Sequence, residues 1–145
     1  MSTVASSLNF EVVWIDEHLQ EIVVFASSRF FSGAVNLYGG LDELARVAEW
    51  LHGFPSSPAD RREIDMGQDD LPGYGSAKLS VFCTDALGHV AMEVRLRSCP
   101  VLAAERSESA CVVIKTAVGE LDQFASALRM IDKQVGETAT LRGAA

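Results

Sequence analysis

Asp85 and His89 are the residues best spaced to do chemistry: in a tight loop their separation brings a carboxylate to one ring nitrogen of an imidazole. Such a dyad orients a histidine for general-base work in hydrolases. No serine or cysteine nucleophile is fixed beside it by the sequence. Asp85-Ala86-Leu87-Gly88 also reads as a hairpin loop, with the Asp side chain capping the turn and Gly88 accepting a positive φ. Turn chemistry alone accounts for the pair, so the dyad is the lesser reading. His18, His52 and His89 form no HxH or HExxH pattern and have no Cys/His spacing suited to zinc. Asp65, Asp69 and Asp70 lack the spacing of a calcium loop. Gly73-Tyr74-Gly75-Ser76 imitates a phosphate loop or nucleophile elbow, but both need a helix leaving the glycines, and here a strand leaves. The expectation is no catalytic residue, no metal site and no cofactor.

A charged surface is the better lead. From Lys78 to Arg97 the chain reads as two strands folded back on each other. In the second, Val90, Met92, Val94 and Leu96 alternate with Ala91, Glu93, Arg95 and Arg97. That period of two sorts a dry face from a wet one. Glu93, Arg95, Arg97 and Lys78, joined by the acidic Asp69 and Asp70, are the candidate interaction surface, because complementary charge sets partner choice and association rate. Trp14, Tyr38, Trp50 and Tyr74 are candidate anchors, although Trp14 and Tyr38 are expected to pack in or around the sheet core.

Twelve basic against twenty acidic side chains leave a formal charge of −8 over 145 residues. This opposes nucleic-acid phosphate and suits a basic protein partner. No apolar run is long enough for a membrane helix, and Met1–Ser7 has no basic stretch leading into an apolar core, so neither a span nor a secretory leader is expected. Cys83, Cys99 and Cys111 are an odd number without CxxC spacing, which favours free thiols in a reducing cytoplasm.

These residues need elements to hold them. Phe10–Ile15, Leu19–Ala26 and Phe31–Tyr38 read as a meander of three strands, ended by Gly39-Gly40. Leu44, Val47, Ala48 and Leu51 have the spacing of a helix with one apolar stripe. Residues 54–75 read as a connector carrying a short edge strand at Glu63–Gly67. The hairpin follows, then a strand over Ala110–Thr116. A second helix runs from about Val118 to Lys133, with Leu121, Phe124, Ala125, Leu128 and Ile131 on one stripe. The order β-β-β-α-(β)-β-β-β-α predicts an α+β domain over residues 1–145. Its core would be a single antiparallel sheet of six or seven strands with both helices on one face. Residues 1–8 and 136–145 are expected to be flexible tails, and no internal repeat is visible.

Tyr38-Gly39-Gly40-Leu41-Asp42-Glu43-Leu44 leading into Trp50-Leu51-His52-Gly53-Phe54, followed by the hairpin and closing helix, resembles small uncharacterised bacterial proteins. Some of these are predicted immunity proteins that neutralise contact-dependent or polymorphic toxins, and the element order is similar to the wall-associated-protein immunity group. The resemblance implies a non-enzymatic cytoplasmic protein-binding domain and brings no catalytic residues with it. The alternative is a small enzyme or ligand-binding domain with a pocket between helices and sheet. Open sheet edges also allow a homodimer.

Overall fold

The computed structural model describes residues 6–68, 73–98 and 107–144. Its elements are β1 (Ser7–Ile15), β2 (Leu19–Ser27), β3 (Ser32–Gly40), α1 (Glu43–Leu51), β4 (Arg61–Gly67), β5 (Ser76–Cys83), β6 (His89–Ser98), β7 (Glu108–Ala117), α2 (Val118–Ile131) and β8 (Thr138–Arg142). The α+β class and the antiparallel pairing follow the sequence reading. The single sheet does not. The strands form two four-stranded antiparallel sheets, ordered β3-β2-β1-β8 and β4-β5-β6-β7, and the helices do not lie together on one face of one sheet.

The correction has a physical cause in β3. Along it, Gly33 meets Ala110 of β7 and Leu96 of β6, the Val35 side chain and the Asn36 carbonyl meet Gly75 just before β5, and Leu37 meets Gly67 of β4. Four residues of strand advance about 13 Å, and four neighbouring strands span about 14 Å, so β3 crosses the second sheet nearly at right angles. The inward faces therefore oppose each other as two crossed layers. Gly75 allows the crossing: a side chain there would land on the Asn36 carbonyl. Gly39 and Gly40, read as the end of the meander, continue β3 and pair with Gln20 and Leu19.

One core joins both sheets and both helices. Leu8, Phe10 and Val12 of β1 and Ile22 and Val24 of β2 share one cluster with Leu79, Val81, Met92, Val94 and Ile114 of the second sheet, all essentially inaccessible. Leu44, Val47, Ala48 and Leu51 of α1 and Leu121, Phe124 and Leu128 of α2 turn their stripes into the same core, where Phe124 meets Phe10 edge-on at 5.5 Å. Fully burying one such side chain is worth about 1.5–3 kcal/mol.

The architecture repeats. Each sheet has a meander of three strands leading into a helix, and each is completed by the strand that follows the other meander's helix: β4, after α1, joins β5, and β8, after α2, joins β1. Buried positions correspond at one constant offset from β3–α1 to β7–α2: Val35 with Val112, Leu37 with Ile114, Leu44 with Leu121, Val47 with Phe124, Ala48 with Ala125, and Leu51 with Leu128. The expectation of no repeat is thereby corrected. The core positions keep apolar type, and four of these six pairs keep the residue itself, while the outward positions between them differ, as at Asn36 and Val113 or Tyr38 and Lys115, which is why the repeat is faint in the sequence.

The expected tails also change. Ser7 and Leu8 belong to β1, and Thr138–Arg142 is a strand antiparallel to β1 with Ala139 and Leu141 buried. Residues 1–5 lie outside the described residues. No helix among the described residues is long and apolar enough to cross a membrane.

Candidate functional site

Because alternation buries one face of the second sheet in the shared core, its charged side chains occupy the outward face. Register sets them in rows across β4, β5, β6 and β7. Glu63 stands opposite Ser80, and Ser80 opposite Glu93 and then Val113. The next row is Asp65, Lys78, Arg95 and Cys111, and the one beyond is Gly67, Ser76, Arg97 and Ser109. Short side chains at Gly67, Ser76 and Ser109 between long cationic ones leave a concavity of about 580 Å³, into which Asp65, Lys78, Arg95, Arg97 and Cys111 open.

Partnering within the groove is uneven. Arg95 donates from Nε to Glu93 at 2.6 Å, and this carboxylate raises the Arg95 pKa further, with Cys111 adding to the effect. Lys78 reaches Glu63 at 3.5 Å. The Arg97 side chain donates to the Ser107 hydroxyl at 3.5 Å and forms no ion pair among the described residues. These pairs are solvent-exposed, a setting in which each ion pair contributes only about 0–1 kcal/mol to stability. The charges are therefore cheap to redirect toward a partner.

Of the surface expected from sequence, the structure gathers Glu93, Arg95, Arg97 and Lys78 on one face. Asp69 and Asp70 lie outside the described residues, as does Cys99. The groove is on the outside of a sheet rather than between helices and sheet, where the ligand-binding alternative put its pocket. A shallower hollow of about 450 Å³ lies where the end of α2 meets β8, lined by Ala127, Met130 and Gln134.

The hairpin tip has the geometry expected of its turn. One Asp85 oxygen accepts from the Leu87 amide at 2.7 Å and the His89 amide at 3.3 Å; the other lies 2.5 Å from His89 Nδ1. Gly88 has φ +91°. The His89 contact, then the Leu87 amide, lower the Asp85 pKa. Asp85 and His89 do meet as a dyad, but the carboxylate also caps its own loop, and both side chains are largely open to solvent. Among the described residues no three metal-ligating side chains come together. Cys83 and Cys111 are free thiols.

Three of the candidate aromatic anchors, Trp14, Tyr38 and Tyr74, gather on a second surface away from the charged groove, and the expectation that Trp14 packs in or around the core is corrected. Trp14 meets Tyr38 edge-on at 6.4 Å, and Tyr38 meets Tyr74 at 6.1 Å, on the outside of the first sheet. Alternation from Phe10 and Val12 points Trp14 inward. A bulge between Val12 and Trp14 shifts the register, pairs Trp14 with the outward Glu21, and leaves the indole residue 43% exposed. Tyr38 was legible, since it alternates with the buried Leu37.

Comparison of the chain with protein-family models, curated proteins and solved structures finds no match in any of the three.

Proposed function

We propose that this chain is a non-enzymatic protein-binding domain of the bacterial cytoplasm, an immunity or accessory protein, with the outer face of the second sheet as its recognition surface. One observation carries this reading. The two halves of the fold provide an internal control, because the same scaffold carries a different surface on the first sheet. Where Asp65, Lys78, Arg95 and Cys111 stand, the corresponding row across β8, β1, β2 and β3 holds Thr140, Asn9, Phe25 and Ala34. The architecture does not require cations at these positions, so their clustering in a groove calls for another reason. A partner with carboxylates opposite Lys78, Arg95 and Arg97 and cations opposite Glu63 and Glu93 satisfies both charge rows, and the net charge of −8 draws a basic protein from a distance.

The size of the groove favours a second reading, a ligand-binding domain, since small-molecule sites occupy roughly 300–1,000 Å³. Affinity purification separates the two. The wild-type chain should retain a specific protein partner, and the Lys78→Glu, Arg95→Glu, Arg97→Glu variant should lose it while unfolding at the same temperature. A partner held equally by both would sink the proposed surface, and a small molecule in place of a protein would support the second reading. Sedimentation of the purified chain shows whether the partner is a second copy.

A further inference from the structure

The aromatic cluster on the first sheet has chemistry of its own. Trp14, Tyr38 and Tyr74 meet with interplanar angles of 84° and 69°, so their rings face different directions. Trp14 and Tyr74 are 43% and 39% exposed, too open for core packing to explain them. Glu21 is the cross-strand neighbour of both Trp14 and Tyr38, and its carboxylate is oriented by Asn36, which donates at 2.8 Å. No Lys or Arg among the described residues pairs with Glu21. The adjoining β1–β2 turn adds Asp16 and Glu17.

The duplicated scaffold again shows what the fold does not demand. At the positions corresponding to Tyr38 and Glu21, the second sheet has Lys115 and Ala91. Aromatic rings beside a carboxylate attract a cation through the ring quadrupole and direct charge together, and arginine also stacks on the ring plane. We propose that Trp14, Tyr38, Tyr74 and Glu21 form a docking site for an arginine or lysine side chain of a basic polypeptide. The site lies on a different sheet from the Lys78–Arg97 groove and presents the opposite charge. It takes a cationic side chain, whereas the groove takes carboxylates.

The test is calorimetric titration with a capped tetra-arginine peptide, and with tetra-glutamate as control, at low and high salt. The wild-type chain should bind the arginine peptide and not the glutamate one. Trp14→Ala and Tyr74→Ala should each weaken binding on the order of tenfold, about 1.4 kcal/mol. Glu21→Gln should weaken it and reduce its salt dependence, while Trp14→Phe should retain most of the affinity. The chain has two tryptophans, so a Trp50→Phe variant reports Trp14 alone, and arginine peptide should change its emission even if Trp14→Ala fails to fold. Substituting Lys78, Arg95 and Arg97 by serine should leave that response in place, which separates this site from the groove. The proposal is overturned if the wild-type chain does not bind the peptide, or if Trp14→Ala and Tyr74→Ala bind it as tightly as wild type, since binding would then be long-range attraction alone.

Discussion

Single side chains hold the helix ends of this fold to its strands. Arg62 on β4 donates to the Trp50 and His52 carbonyls at 2.9 and 2.7 Å, satisfying the end of α1, and to Asp60 at 2.9 Å. Asp60 also accepts from the Ser56 amide at 2.8 Å, and the Arg62 contact, then that amide, hold its pKa below the ordinary carboxylate value. A carboxylate with a depressed folded pKa adds stability above the unfolded value of about 4, and the contribution disappears as pH falls through the folded value. Asp60→Asn should therefore lower the unfolding midpoint at pH 6 and flatten the decline below about pH 4, as thermal scans between pH 3 and 6 would measure. Equal acid limbs in the two proteins would refute this role. Gln20 acts similarly but wholly buried, donating to the Gly40 carbonyl at 3.0 Å and Asp132 at 2.8 Å, and so linking β2 to the end of β3 and of α2. A polar residue in the apolar alternation of β2 marks Gln20 in the sequence. Its partner Asp132, far along the chain, does not show there.

At the scale of elements, apolar periodicity located nearly every strand and both helices, because a half-buried strand must alternate and a surface helix must carry a stripe. It erred where backbone irregularity intervened. The β1 bulge turned Trp14 outward, and Gly39-Gly40 stayed in β3 because antiparallel pairing to β2 outweighed the turn propensity of glycine. The crossing of β3 over the second sheet runs past Gly33, Gly67 and Gly75, and the approach to its backbone is tightest at Gly75. Gly75→Ala should cost about 2 kcal/mol or more in urea unfolding, since the new Cβ meets backbone that cannot yield. Gly119→Ala in the first turn of α2, where nothing lies within 4 Å, should instead be neutral or stabilise by about 0.5–1 kcal/mol. If both substitutions were neutral, the close approach at Gly75 would be wrong.

At the scale of the molecule, the two halves are interlocked rather than merely adjacent. Each helix is followed by a strand that completes the other half's sheet, so neither half has a full complement of strands alone. A chain ending at Gly136 loses β8, uncovers the pairing edge of β1, and removes Ala139 and Leu141 from the core. The expected result is a loss of about 3 kcal/mol or more, with both sheets melting in one transition, monitored by circular dichroism. An unchanged midpoint would restore the flexible-tail reading of residues 136–145. The outward faces carry opposite chemistry, an aromatic and acidic cluster on one sheet and a largely cationic groove on the other. The sequence contained both sets of residues but not their separation.

By itself the sequence determined the α+β class, the antiparallel pairing, the hairpin with its capped turn, and the outward set Glu93, Arg95, Arg97. Each is legible because it follows from neighbours two to four positions apart. Only the tertiary structure decided that the strands divide into two crossed sheets, that the fold repeats, and that Trp14, Tyr38 and Tyr74 converge. These depend on contacts between distant segments, made possible by one bulge and by close approaches at glycines, and no local period encodes which strand crosses which.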